Sequence, residues 1–249
     1  MGKTSIEWAD KSLNFYTWSC NKVSEGCKHC YMMTMANRFG KPDPNGTPQW
    51  RESAMKEYKA LQSGDVVFVN SMSDTYHPGV PFEWIERIHN LADARPDVIF
   101  LMLTKRPERL LELSDRLVFP DNLFVGTSIE LPKYIAPRLE ALFAVPAMGH
   151  FVSLEPLLGS LFPEWETFFN HVVDRMWLDW VIVGAESGDN RRAFDIDWAR
   201  ELRDWCTEHR IPFMYKQGSH RKSGQNRLLD GREWNETPHF EDHLLKVRS

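Results

Sequence analysis

The chain has 249 residues, 42% of them hydrophobic and 26% charged, and a formal net charge of -5. That composition suits a globular protein with one sizeable core, at a length that a single α/β barrel routinely takes. The negative balance excludes a surface that coats nucleic acid by general basicity, and no apolar run reaches membrane-spanning length. The first residues, MGKTSIEWAD, carry charges and no apolar signal core, so the expected location is the cytoplasm, where thiols stay reduced, with no membrane partner.

In chain order, residues 13–18 form a short aromatic-rich run that reads as the first strand. Next comes Cys20-Asn-Lys-Val-Ser-Glu-Gly-Cys27-Lys-His-Cys30-Tyr31, holding three of the four cysteines. Helices are expected over 28–39, stopped by Gly40 and the Pro42, Pro44, Gly46 loop, and over 49–61, closed by Gly64. Continuous apolar runs follow at 66–70, 98–103, 123–126, 150–154, 180–184 and 212–215, the kind buried on both faces of a parallel sheet. Between them lie helical patterns at 82–94, 107–113, 132–142 and 197–209. The last begins at an Asp197 cap and places Cys206 on an apolar stripe with Trp198, Leu202 and Trp205, so Cys206 reads as a core residue.

Strands alternating with helices predict an α/β fold: one domain over 1–249, a single parallel (β/α) barrel, complete or partial, TIM-like, with its strands in sequence order. An inserted helix is expected within about 159–179, where Trp165, Phe168, Phe169 and Trp177 cluster. A polar tail is expected from about 218, with a turn at Asp230-Gly231. In such barrels the site lies at the C-terminal mouth. Polar residues follow six of the apolar runs: Ser71, Ser73 and Asp74; Thr104, Lys105 and Arg106; Ser128 and Glu130; Glu155; Glu186; and Lys216 with Gln217. Any one of them is ordinary loop polarity. Their recurrence points to a site, and Lys105, Arg106 and Lys216 are the expected partners for acids in a partly dry cavity.

Three thiolates this close in sequence share one metal centre. A disulfide framework is disfavoured by the absent leader and the low cysteine content. Cys27-x-x-Cys30 is a zinc-knuckle spacing that His29 or a distant residue would complete, but no second Cys/His pair follows. Three cysteines with an open fourth position suit a cubane 4Fe-4S cluster. A zinc- or iron-sulfur-stabilised binding or sensor protein without radical chemistry stays open on these residues alone.

The cysteine triplet resembles that of the radical S-adenosylmethionine superfamily, although six residues rather than three separate Cys20 from Cys27. More closely, the chain is similar to a phage-associated family with this Cys-x6-Cys-x2-Cys spacing, through Ile6-Glu7-Trp8, FVNSMSDTYHP, LTKRPER, VGTSIE, SLEPLLG, VGAESG and FMYKQGS, segments that run from Ile6 to about Pro238. The resemblance implies a 4Fe-4S cluster on Cys20, Cys27 and Cys30, with S-adenosyl-L-methionine on the fourth iron and an electron donor such as a flavodoxin or ferredoxin. It implies generation of a 5′-deoxyadenosyl radical that abstracts hydrogen from substrate. Ser71, Ser73 and Asp74 would then face the methionine amino group, and Ser128 and Glu130 the ribose or the carboxylate. Glu155, Glu186 and Lys216 would act as the catalytic set toward substrate or a migrating proton. Trp8 and Trp18 flank the cysteines as candidate shields. The phage setting implies a nucleotide or DNA base as the molecule modified or isomerised, in host cytoplasm, with Arg191, Arg192, Arg221, Lys222 and Arg227 available to phosphates.

Overall fold

The computed structural model describes residues 4, 6–17, 19–38, 46–171 and 178–245. Seven strands form one parallel sheet: β1 (Lys11–Leu13), β2 (Val66–Val69), β3 (Ile99–Thr104), β4 (Leu123–Ser128), β5 (Gly149–Leu154), β6 (Trp180–Gly184) and β7 (Phe213–Gln217). Each strand pairs with the next in the chain, and the sheet curls into a half-barrel whose free edges are β1 and β7. Helices α1 (Tyr31–Arg38), α2 (Glu52–Lys59), α3 (Phe82–Asp93), α4 (Pro107–Ser114), α5 (Ile135–Phe143), α6 (Glu164–His171) and α7 (Ile196–His209) occupy the connections. A short hairpin, β8 (Leu228–Leu229) and β9 (Arg232–Glu233), precedes a last helix, α8 (Phe240–Leu245). Among the described residues no helix is long and apolar enough to cross a membrane.

The continuous apolar runs divide between two cores because successive strand residues face opposite ways. Val67, Val69, Phe100, Met102, Val181 and Val183 belong to the outer core with the helices, whereas Phe68, Ile99, Leu101, Phe124, Phe151 and Trp180 belong to the inner one. The inner face is floored by aromatic rings. Trp8 lies 4.3 Å from the Phe68 ring and edge-on to Trp180 at 6.3 Å, and Phe240 of α8 meets Phe124 at 5.2 Å. The segment carrying Trp8 is tied to the start of β2, since Asp10 donates to the Val66 carbonyl at 2.8 Å and its carboxylate accepts from Val66 N-H. The floor is therefore at the N-terminal ends of the strands. Just above it, Gly126 is required by close approach, because a Cβ there would stand 2.7 Å from the Phe151 ring. Beyond these rings the inner face turns polar, with Ser153 and Glu155 at the end of β5 and Lys216 on β7.

Several sequence expectations are corrected. The first strand is 11–13 rather than 13–18: Phe15 and Tyr16 are fully buried, and Tyr16 forms only an isolated antiparallel bridge with Trp50 while its hydroxyl donates to the Asp74 carbonyl at 2.9 Å. Aromatic content there reports burial, not strand pairing. The cap of α7 is Asp195, which accepts from Asp197 N-H at 3.0 Å, so Asp197 lies within the helix. The tail turns at Asp230 and Gly231, both at positive φ, as expected, but its end is not purely polar, since Phe240 enters the inner floor. Trp18, Phe39, Gly40, Pro42, Pro44 and Trp177 lie outside the described residues.

Two buried histidines make the fold acid-sensitive. His89 Nδ1 donates to the Val118 carbonyl at 2.7 Å, leaving Nε2 to accept from Tyr76 at 2.9 Å. Burial pulls the pKa of His89 and of His150 down to about 4. Both then take up their protons more readily in the unfolded chain, at the ordinary value near 6.5. Their depressed folded pKa contributes stability that is complete above pH 6.5 and is lost as pH falls toward 4. Denaturant unfolding is expected to show a falling free energy through this window, and His89→Gln should flatten the slope. A flat profile from pH 7 to 4.5 would contradict it.

Candidate metal centre at the barrel mouth

Cys20, Cys27 and Cys30 are free thiols, all partly exposed, in the loop that leaves β1, whereas Cys206 is fully buried in α7. Cys20 and Cys30 flank one small apolar cluster of Met32, Ala36 and Met72. Cys27, with its sulfur 3.6 Å from the Ser24 hydroxyl, is near enough for its charge to raise the pKa of both. Burial, reinforced by Asp74 and opposed by Arg106, pushes the Cys20 thiol up to about 11, and burial likewise raises Cys30. Among the described residues no three Cys, His, Asp or Glu side chains stand close enough to ligate one metal ion. A cubane, which spreads its thiolates over three irons, does not demand that spacing. Three cysteine thiols are the donor chemistry such a group takes, and two of them, Cys20 and Cys30, share the apolar wall.

The loop is strapped over the mouth by residues from three different strand ends. After β3, Arg106 donates to the Asn21 carbonyl at 3.2 Å and to its side-chain oxygen at 2.5 Å, with Nη1 3.9 Å from the Cys20 sulfur. After β4, Glu130 accepts from the Ser24 hydroxyl at 2.7 Å, and the Glu25 carboxylate is taken by Lys133 and Tyr134. Gly26 is forced by this contact: a Cβ on it would stand 2.4 Å from Glu130 Oε1. After β6, Glu186 meets His29 at 3.0 Å and Arg192 donates to the Glu25 carbonyl at 2.9 Å. The cysteines thus share the C-terminal mouth with the strand-end acids.

The predicted site residues fall into three groups. Asp74, Glu130 and Glu186 are committed to structure. Asp74 accepts from Tyr76 N-H, the Thr104 hydroxyl, Lys105 N-H and Arg106. Fully buried Glu130 is gripped by Lys105 at 2.5 Å and Arg138 at 2.8 Å; burial pushes its pKa up, but the two cations outweigh this and hold it below the usual range. Glu186 accepts from both the side chain and the backbone of Arg192, which with His29 overcomes burial and lowers its pKa. Lys105 and Arg106 thus pair with acids as expected.

The second group faces the interior. Glu155 accepts from Lys216 at 2.9 Å and from Ser153 at 3.1 Å, and a Cβ on Gly184 would stand 2.6 Å from its carboxylate. Burial pulls the Lys216 ammonium down, but Glu155 and the nearby Glu7 outweigh it and leave its pKa above the ordinary lysine value. The third group is the serines. Ser71 shares a 2.6 Å hydrogen bond with Ser12, the Ser73 hydroxyl is buried beside Tyr16, and buried Ser128 offers its carbonyl to Arg138.

Sequence reasoning missed Ser24, Glu25, Lys133 and Arg138, whose roles come from contacts remote in the chain. Ser12 and Asn14, also missed, alternate with Leu13 and both reach Ser71. The expected basic cluster is partly assembled. Ser187 bridges to His220 and Arg191 donates to Ser219, so Arg191, Arg192, Arg221 and Lys222 occupy one loop pair. Arg227 instead pairs with Glu233 and Asn235 of the hairpin.

The profile of a family described as "Protein of unknown function (DUF5131)" matches residues 3–238. No curated protein and no solved structure matches the chain.

Proposed function

We propose that this chain, which belongs to the DUF5131 family, is a radical S-adenosylmethionine enzyme of partial TIM-like form, in which Cys20, Cys27 and Cys30 hold a 4Fe-4S cluster. The observation that carries the reading is the placement of three free thiols in one loop at the polar mouth of a parallel half-barrel that also holds a Glu155–Lys216 pair. When bound, the cluster and S-adenosylmethionine supply reductive cleavage of a sulfonium and hydrogen abstraction from an unreactive carbon. The chain's own work is to hold, orient and dry that chemistry. Ser71 and Ser73, just past β2, line the methionine end. Asp74 braces Arg106 against the loop, and Ser128 and Glu130 support it from β4 through Arg138 and Ser24. Glu155 and Lys216 hold a proton between them inside the mouth, where substrate enters. Glu186, through Arg192 and His29, is a positioning residue for the loop.

The substrate proposed is a nucleotide or a DNA base in a phage setting in host cytoplasm, its phosphates meeting Arg191, Arg192, Arg221 and Lys222 on the paired loops, with a flavodoxin or ferredoxin supplying the electron. The test is anaerobic reconstitution with iron and sulfide, then dithionite and S-adenosylmethionine. Formation of 5′-deoxyadenosine is expected. A chain that keeps zinc and makes none is a metal-fastened binding protein. In the same preparation, oligonucleotide binding should weaken as salt rises, and neutralising Arg191 and Arg221 should flatten that slope. No salt-dependent binding would move the substrate to another class while leaving the radical reaction intact.

A further inference from the structure

The contact between Arg106 and Cys20 lies outside the site as the sequence drew it. Arg106 is only 8% exposed, and its guanidinium spans two charges. Nη1 lies 2.8 Å from Asp74 Oδ2 and 3.9 Å from the Cys20 sulfur, while Nη2 grips Asn21, the residue after Cys20. Asp74 is itself locked by the Thr104 hydroxyl at 2.7 Å and by Lys105 N-H, so the guanidinium has little room to turn away. Lys105 is directed elsewhere, to Glu130, and the nearby His77 bonds Asn21 rather than Cys20. Arg106 is thus the cation held against this thiol, and Asp74 sets how much of its charge the sulfur feels.

We propose that Arg106 and Asp74 form a paired charge setting for the cluster that tunes its reduction potential through Cys20. The inference rests on the cluster reading above. A one-electron reduction adds negative charge to the centre, so a guanidinium donating to a ligating sulfur favours the reduced form, and a carboxylate behind it opposes that. The two residues therefore act with opposite sign. A merely structural pair would act with the same sign, because losing either loosens the same loop.

The test measures the cluster's midpoint potential by EPR-monitored titration in the reconstituted full chain and in Arg106→Gln, Arg106→Lys and Asp74→Asn. Arg106→Gln is expected to shift the potential negative by about a tenfold change in the oxidised-to-reduced ratio at fixed potential, about 59 mV for one electron. Asp74→Asn is expected to shift it positive, and Arg106→Lys to show less than half of the glutamine shift. Thermal melts of the cluster-free variants separate folding from tuning. Should Asp74→Asn fail to fold, the lysine and glutamine variants still decide the matter, since equal shifts in both would overturn a charge role. Shifts of the same sign in Arg106→Gln and Asp74→Asn, or no shift, overturn the proposal while leaving the cluster in place. Absence of any iron-sulfur absorbance in the unaltered chain overturns both this inference and the reading beneath it.

Discussion

Alanine at Cys20, Cys27 or Cys30 is expected to remove most of the iron-sulfur absorbance of the anaerobically reconstituted protein, while Cys206→Ala retains it. The difference follows from where the thiols sit. The first three share the mouth, two of them against the same Met32, Ala36 and Met72 wall, whereas Cys206 is fully buried in α7. Burial raises the Cys206 thiol well above its ordinary value, and the group beside it that adds to this is Glu236, a carboxylate and not a cation. It behaves as a small apolar side chain. Iron and sulfide content per chain, measured beside absorbance, checks the result. Equal loss in all four variants would refute the assignment, and retention in any of the first three would remove that cysteine from the set.

The second large effect concerns Arg138. Its Nη1 donates to the Ser128 carbonyl at 2.6 Å and to Glu130 Oε2 at 2.8 Å, and both Arg138 and Glu130 are buried. Arg138→Met keeps most of the side-chain volume but leaves that carboxylate oxygen and that carbonyl without their cation. Breaking a buried pair on one side costs about 3–5 kcal/mol. For a chain of this size that lowers the melting temperature by roughly 6–20 °C. The cost should shrink as pH falls into the carboxylate range, because losing Arg138 removes one of the two cations that hold the Glu130 pKa down. Pairing the change with Glu130→Gln should recover part of the loss, and simple additivity of the two would show that the residues do not interact. A variant as stable as the parent would mean that Lys105 alone satisfies Glu130.

The order of strands was legible because each buried run is apolar, continuous and bounded by turn residues, as at Trp180–Gly184, whose limits agree with the sequence reading. The first strand was not, since Phe15 and Tyr16 carry a strand's composition but join only an isolated bridge, to Trp50. The cysteine triplet and the strand-end acids could be read as residues, but their assignments could not. Which acid meets which cation depends on the curl of the sheet. Ser24 and Glu130 are 106 positions apart, and His29 and Glu186 are 157 apart. Asp74, read as a ligand-binding residue, is consumed by the Thr104–Arg106 turn. Glu155 and Lys216, read with Glu186 as one set directed toward substrate or a migrating proton, pair with each other at 2.9 Å while Glu186 pairs with Arg192.

The sheet's neighbour-to-neighbour order bears on how the chain assembles during synthesis. Each strand from β2 onward finds its partner already made, so the sheet can lengthen one strand at a time as the chain leaves the ribosome. Trp8 cannot follow that schedule. It precedes every strand of the sheet, and although Phe68 of β2 comes soon after it, the other rings it meets, on Phe151 and Trp180, belong to β5 and β6. Until those strands are made the indole has only the Phe68 ring to pack on, which leaves closure of the barrel's base among the later events of folding.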